Sequence, residues 1–226
     1  MMVERRRLQR SAVVRTVAAV LFSAAIGAVA IGCQLAYFLS PEHQEDVKAE
    51  YGKIGKRKVA VIVWADQTTR DEDRHARRRV GKAVSYHLQK HLRDTPFVEE
   101  PEIRKLQEDP GSDWESLSNE ELCRKLKCDM VLRIDLLDYT TRASDTRELR
   151  RGRVRATLTL YEGGEEGSRD AVYETEVLVT YPPDSKHGVP DMEDADLLHE
   201  TVEYFASVVA RKFYDHEKSM RGPSDR

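Results

Sequence analysis

The chain has few cysteines: its 226 residues contain only three. That number is too small for the disulfide framework of a small secreted domain. Cys123 and Cys128 lie five positions apart, near a predicted helix end and the start of a predicted strand. They are either a disulfide pair, if this part of the chain is in an oxidising compartment, or two half-buried thiols that act as small hydrophobic side chains.

Aromatic residues are also scarce. They make up 7% of the chain, which disfavours a surface that stacks against sugar rings. Residues 1–32 hold five of the 37 Lys and Arg residues and one of the 40 Asp and Glu residues, so the remainder carries 32 against 39 and a net charge of −7. A mildly acidic domain with interspersed charges argues against binding of nucleic acid and against adhesion to anionic lipid head groups.

The sequence lacks a recognisable catalytic pattern. No serine stands in the G-x-S-x-G context of a hydrolase nucleophile, and Asp135 and Asp138 are expected to point to opposite faces of one strand, whereas an acid–base pair must flank one bond. His87 and His91 have the i, i+4 spacing that can hold a metal, but no third ligand is evident. We therefore predict a chain that is not an enzyme and needs no cofactor, with His87 and His91 as its metal candidates.

One long apolar run is present, close to the N-terminus. Five arginines precede it, and the residues from Val17 to Ile31 are apolar or small. A positive head, an apolar core and small residues at its end are typical of a secretory signal, so we predict a signal peptide over residues 1–32. The alternative is an uncleaved signal anchor to residue 39, because Val17–Leu39 exceeds the roughly 20 residues that span a bilayer core.

Ala30-Ile31-Gly32-Cys33 resembles the lipobox of bacterial lipoproteins. The resemblance implies cleavage before Cys33 and acylation of its thiol and its amino group, and acyl chains anchor a protein because each buried methylene contributes roughly 0.8 kcal/mol. Both alternatives place the following chain outside the cytoplasm. Gln34 is not the aspartate that retains enteric lipoproteins at the inner membrane, so the outer membrane is favoured. The signal-anchor alternative is a single-pass inner-membrane protein.

Behind this anchor the sequence predicts one domain. We interpret residues 33–56, which are mostly polar, as the lipidated N-terminus and a tether. Residues 57–216 form a single α/β domain in this interpretation, and residues 217–226 form a disordered tail. About 160 residues are enough to bury two-thirds of the unfolded surface in one core.

Apolar periodicity predicts the elements of this domain. Short β-branched or alternating runs indicate strands over 58–64, 97–99, 129–139, 153–161 and 172–181. Apolar residues at helical spacing indicate helices over 73–93, 102–108, 118–127 and 194–215, and residues 66–73 are predicted to be a polar loop. Ser118 and Glu121 have the spacing of a capping box. The residues expected to face the core are Val154, Ala156, Leu158 and Leu160 in the fourth strand and Leu198, Val202, Phe205, Val209 and Phe213 in the last helix. In the last pair of strands, Arg153 and Arg155 are expected to face Glu174 and Glu176. This order predicts an α/β fold, bordering on α+β, in which a long helix, short helices and a C-terminal amphipathic helix pack on a mixed sheet of about four to five strands.

The same order is similar to the α/β domain of a group of periplasmic lipoproteins that includes the curli secretion lipoprotein CsgG, the penicillin-binding-protein activator LpoB and the N-terminal domain of TolB. Lys58–Trp64 and Glu121–Leu132 carry the resemblance, because in these families a helix ends in a small residue and an aspartate, here Cys128-Asp129, before a buried strand. The resemblance implies an assembly or accessory role through binding of another envelope protein or of a second copy.

Two tryptophans are candidate anchors for such a partner, since tryptophan is enriched at binding hot spots. Trp64 lies at a strand end and Trp114 in a polar loop, and packing in the core is the alternative for both. The competing function is a module that binds a small ligand or a cell-wall glycan, which needs an apolar or aromatic pocket.

Overall fold

The computed structural model of the chain describes residues 44–109, 111–142, 150–163, 171–183, 188–189 and 192–219. The predicted signal peptide, the alternative signal anchor and the lipidation site Cys33 lie outside these residues. Within the described part of the chain, no helix has the length and apolar character needed to cross a membrane.

The strands form two sheets. The six strands in the described residues are β1 (Gln44–Val47), β2 (Val59–Ala65), β3 (Met130–Thr140), β4 (Gly152–Glu162), β5 (Tyr173–Tyr181) and β6 (His216–Ser219). The central sheet has the order β2–β3–β4–β5, with β2 parallel to β3 and the other pairs antiparallel. This mixed sheet confirms the predicted fold class. The predicted strand at 97–99 is reduced to a single parallel bridge between Val59 and Phe97.

Helices cover the sheet. They are α1 (Gln67–Glu72), α2 (Ala76–His91), α3 (Glu100–Glu108), α4 (Asn119–Leu126) and α5 (Asp194–Arg211), with a short 3₁₀ helix at Trp114–Ser116. The polar loop predicted at the end of β2 is instead α1, because Asp66 accepts a hydrogen bond from the N–H of Thr69 at 2.8 Å and so caps a helix. α4 begins with the predicted capping box of Ser118 and Glu121.

The two faces of the central sheet have different cores. One face packs against α2 and α5 in a large core, and the inward residues predicted for β4 are all fully buried there: Val154, Ala156, Leu158 and Leu160. The other face packs against α3, α4 and the 3₁₀ helix in a smaller core over β2 and the first residues of β3. The rest of this second face carries no covering element among the described residues.

The two ends of the described chain pair with each other. β1 and β6 form an antiparallel two-stranded sheet. Beside it, Asp215 binds the ammonium of Lys48 at 2.7 Å and accepts a hydrogen bond from the N–H of Ala49 at 2.9 Å. Residues 44–56 are therefore not a free tether, and residues 217–219 are a strand rather than a disordered tail. Backbone pairing between segments so distant in sequence leaves no periodic pattern to detect.

The predicted pairing of Arg153 and Arg155 with Glu174 and Glu176 is wrong. The observed register places a threonine opposite each of these glutamates, and Arg153 binds Asp138 on β3 at 2.7 Å. The observed register differs from the predicted one by four residues. A shift by an even number of residues keeps every side chain on its own face, so alternation alone does not define the register.

Candidate functional site

Cys123 and Cys128 lie at the C-terminal turn of α4. Lys127 between them has a left-handed backbone (φ 50°), and the N–H of Cys128 donates to the C=O of Cys123 at 3.0 Å. This is the geometry of a Schellman-type helix end, in which the flanking side chains meet. Both residues are buried free thiols. The hydrogen bond between the thiols lowers the pKa of Cys123, and the same bond, followed by burial, raises the pKa of Cys128.

The two candidate histidines contact different partners on the α5 side of α2. Nε2 of His87 lies 3.0 Å from a carboxylate oxygen of Glu203, while the ring of His91 stacks on Tyr214 with 4.1 Å between ring centroids. Partial burial, followed by nearby cationic groups, lowers the pKa of His91. In the described residues, no group of three or more His, Cys, Asp or Glu side chains is arranged to hold a metal ion.

The structure places both tryptophans at the smaller core. Trp114 is only 7% exposed, and the guanidinium of Arg77 lies 5.4 Å from its ring centroid. Trp64 is partly buried and packs against the same core. Trp114 is therefore a core residue and not a surface anchor, because the 3₁₀ helix that begins at this residue directs its ring inward despite its polar neighbours in sequence.

The uncovered part of the second sheet face carries two exposed leucines. Leu137 on β3 is 48% exposed and Leu178 on β5 is 57% exposed. The only other exposed large hydrophobic side chain in the described residues is Tyr86 on α2, which is 61% exposed. Most large apolar side chains of the described residues are buried, so two leucines on one sheet face form the strongest candidate for a contact surface.

A β-bulge places these leucines on either side of a charged row. The register of β3 against β4 shifts between Leu136 and Asp138, so that Leu137 has no partner on β4. Asp138 lies opposite Arg155, and Arg155 lies opposite Leu178. We call Leu137, Asp138, Arg155 and Leu178 the open-face patch. It combines two exposed leucine side chains with charged groups that can orient a partner.

β5 adds a free edge to this patch. It is the last strand of the central sheet, and the described residues contain no further strand on its outer side. Glu174 and Glu176 precede Leu178 on the exposed face. An edge of this kind presents backbone N–H and C=O groups that can pair with another chain.

A polar crevice lies at the carboxyl end of β3, between the end of α1 and the first turn of α5. Open α/β sheets commonly bind ligands at the carboxyl ends of their strands. The hydroxyl of Tyr139 donates to Asp73 at 3.0 Å, and Arg79 binds the same carboxylate at 3.4 Å. Across the crevice, Thr141 donates to Asp194 at 3.1 Å. Burial, followed by the charge of Asp73, raises the pKa of Tyr139, so its hydroxyl remains a donor at neutral pH. The crevice encloses about 520 Å³.

Sequence reasoning singled out neither the open-face patch nor the crevice. A signal for Leu178 was present, because it interrupts the polar outward positions that Glu174 and Glu176 begin. The same signal was present for Leu137, because a regular strand places it outward after Arg133 and Asp135. The bulge that leaves it without a partner on β4 is visible only in the structure. Asp73 and Tyr139 are brought together by the parallel pairing of β2 and β3.

No protein-family model matches the chain, and no curated protein matches it. Several solved structures are similar to the chain at low sequence identity. The PelC dodecamer from Paraburkholderia phytofirmans has 12% identity and a TM-score of 0.42, with 76% of this chain and 98% of that chain covered. Lipoprotein GNA1162 from Neisseria meningitidis has 14% identity and a TM-score of 0.43, with 68% and 97% covered.

A minor lipoprotein from Acinetobacter baumannii has 12% identity and a TM-score of 0.32, with 71% of this chain and 92% of that chain covered. At these identities and TM-scores, the comparisons carry no argument about what the chain does. Its function has to be inferred from its own residues.

Proposed function

We propose that this chain is a non-enzymatic lipoprotein of the bacterial cell envelope, whose domain outside the cytoplasm binds another envelope protein as an assembly or accessory factor. The apolar segment that follows five arginines and ends in Gly32-Cys33 supports the anchor. The open-face patch supports the binding of a protein, and it is the observation that carries the proposal.

The patch has the composition of a small protein interface. Burying a leucine side chain contributes about 1.5–3 kcal/mol relative to leaving it exposed, so Leu137 and Leu178 together provide a substantial apolar contact. Asp138 is already paired with Arg153, so the charge of Arg155 favours a partner with a negative charge at its own contact. The free edge of β5 beside Leu178 can add backbone hydrogen bonds to the same partner.

The polar crevice favours a second candidate function, the binding of a small ligand. Its donors and acceptors converge from three elements through Asp73, Tyr139 and Asp194. Such a ligand would be polar, because hydroxyl, carboxylate and guanidinium groups dominate the lining. Ligand binding is compatible with the same anchor. It predicts that substitutions in the crevice, and not in the open-face patch, impair the role of the protein in the cell.

Cross-linking in intact cells, followed by affinity purification and mass identification of the adducts, tests the proposal. We expect one envelope protein to be linked to the wild-type chain, and the double variant Leu137→Ser, Leu178→Ser to lose that adduct. Tyr86→Ser is the matched control, because it removes an equally exposed large side chain from α2. That variant should keep the adduct.

Three other outcomes are informative. Adducts at multiples of the chain's own mass would identify a second copy as the partner. Retention of the adduct by the double leucine variant would remove the open-face patch from the interface. The absence of any adduct, together with loss of function on Asp73→Asn, would favour the small-ligand function.

A further inference from the structure

The outer edge of β2 lies in a groove between α2 and α3. β2 is the first strand of the central sheet, opposite the β5 edge. Val61 and Val63 form the floor of the groove, and side chains of α2 and α3 form its walls. α2 lies close to the floor, since a Cβ at Gly81 would lie 3.4 Å from a methyl group of Val63.

The hydrogen bonds of Val59 show which backbone groups point into the groove. The N–H of Val59 donates to the C=O of Pro96, and its C=O accepts from the N–H of Val98, both at 2.9 Å. Both groups of Val59 thus point away from β3. In a strand the direction of these groups alternates from residue to residue, so the backbone groups of Val61 and Val63 point to the same outer side.

These outward groups are incompletely paired. The side-chain amide of Gln107 donates to the C=O of Val63 at 3.2 Å. In the part of the chain that the structure describes, neither the outward N–H and C=O of Val61 nor the N–H of Val63 has a hydrogen-bond partner. Val61 is 3% exposed and Val63 is 2% exposed. Unpaired backbone groups at such buried positions are rare in folded proteins because they cost free energy.

The walls of the groove are basic although the domain is acidic. Five Lys or Arg residues and two Glu residues line it. Arg77 and Arg78 are held in ion pairs with Glu115 and Glu100. Arg74, Lys82 and Arg104 have no ion pair among the described residues, and their charges face the groove unneutralised. A ligand of this groove is therefore expected to be anionic.

We propose that this groove binds an extended acidic segment of a partner protein, which adds as a strand to the outer edge of β2. The inference rests on the proposed protein-binding function and assigns it a second contact. A peptide backbone offers both an acceptor for the N–H groups of Val61 and Val63 and a donor for the C=O of Val61. Sulfate offers no donor for that carbonyl, so the set of unpaired groups favours a peptide over a sulfate.

The existing contacts show how the segment is accommodated. Phe97 already occupies the first position along this edge as an isolated parallel bridge, so the edge is competent to pair. Farther along, the amide of Gln107 and the ion pair of Arg78 with Glu100 lie across the groove. Both are side-chain contacts, and they have to be displaced when a strand enters.

Binding of a capped seven-residue peptide of alternating Val and Glu to the purified full chain in detergent tests this inference. Hydrogen exchange of the Val61 and Val63 amides, followed by NMR, is the readout. We expect the peptide to slow exchange at both amides, and its affinity to fall as salt is added. Lys82→Glu should weaken binding by roughly tenfold. Lys90→Glu, the same charge reversal on an exposed residue of α2 outside the groove, should not.

Two control ligands make the test specific. A peptide of the same sequence with an N-methyl group on every residue has the same charge and lacks the backbone donors on both edges, so it should not bind. Equal binding of that peptide would overturn the inference, as would equal weakening by Lys82→Glu and Lys90→Glu. Slowing of exchange by sulfate alone, to the same extent, would identify a small-anion site instead. The two experiments are independent. If the peptide does not bind the groove, the cross-linked adduct at the open-face patch is still expected, and loss of that adduct does not change the peptide measurement.

Discussion

Gly152 at the start of β4 lies directly against the side chain of Thr201 in the middle of α5. A Cβ at position 152 would overlap the Thr201 hydroxyl and lie 2.9 Å from the Thr201 Cβ. Thr201 is fully buried, and its hydroxyl donates to the C=O of Leu197 at 2.5 Å. Only glycine permits the last helix to approach the sheet this closely, so this contact determines how α5 covers β4.

We expect Gly152→Ala to lower the free energy of unfolding by about 1–3 kcal/mol, because the added methyl group forces the packed helix and strand apart. Denaturant titration followed by circular dichroism measures the change. Gly52→Ala is the matched control: its Cβ would meet only Ala49, at 3.7 Å, so its effect should stay within about 0.5 kcal/mol.

The double variant Gly152→Ala, Thr201→Ala locates the cause. If the overlap is responsible, removal of the threonine hydroxyl and methyl group should recover part of the lost free energy of unfolding. The effects of the two single changes on that free energy will then not be additive. If the free energy of unfolding of the double variant falls by the sum of the two single decreases, the contact with Thr201 is not what excludes a larger side chain at position 152.

Periodic patterns in the sequence were sufficient for the parts of the fold that bury one face of an element. Val202, Phe205 and Val209 of α5 were predicted as a core stripe from their helical spacing, and all three are buried. The capping box at Ser118 was equally visible, because its partners are three residues apart. Such features are local, so the identities of neighbouring residues specify them.

The features of the candidate sites depend on contacts between distant segments, and local patterns could not predict them. The bulge at Leu137 comes from the pairing of β3 with β4. The unpaired edge at Val61 arises because, among the described residues, only the bridge of Phe97 to Val59 lies on the outer side of β2. The inward ring of Trp114 depends on the smaller core that α3 and α4 complete. Each of these needs the tertiary structure.

The contact between Cys123 and Cys128 predicts an ordered reaction with thiol reagents. Because the pKa of Cys123 is lowered and that of Cys128 is raised, Cys123 should form the thiolate first and be alkylated first by limiting iodoacetamide. Peptide mapping by mass spectrometry measures the order. Faster labelling of Cys128 would contradict it.

The same contact predicts that the pair can be oxidised. Oxidised glutathione should be attacked by Cys123, and Cys128 should then displace the bound glutathione, so that two thiols become one disulfide and one glutathione disulfide becomes two thiols. Cys128→Ser should stop at the mixed disulfide with glutathione. A wild-type chain that retains the mixed disulfide would show that the two sulfurs do not reach each other.

Stability should fall as the pH is lowered through the titration of His91. Partial burial, followed by nearby Lys90, His87, Arg211 and His216, lowers its pKa below the ordinary value of 6.5. The unfolded chain therefore binds the proton more readily, and folding loses stability as the pH falls from above 6.5 towards the lower pKa of the folded state.

His91→Phe should flatten this dependence while preserving the stack on Tyr214. His75→Gln is the control, since His75 is exposed and its side chain makes no cap hydrogen bond. Denaturant titrations across pH 5–8, roughly the range in which histidine titrates, measure the effect. An unchanged slope in His91→Phe would assign the pH dependence to other groups.

The anchor prediction is tested by substitution of Cys33. The pairing of β1 with β6 defines how many residues lie between Cys33 and the folded domain. β1 begins at Gln44, so only residues 34–43 separate a lipidated Cys33 from the folded domain. Fully extended, such a segment spans at most about 35 Å. We expect Cys33→Ala to abolish incorporation of labelled palmitate, whereas Cys123→Ala retains it. Membrane retention of Cys33→Ala at its full-length mass, with no labelling of the wild-type chain, would identify Val17–Leu39 as an uncleaved signal anchor.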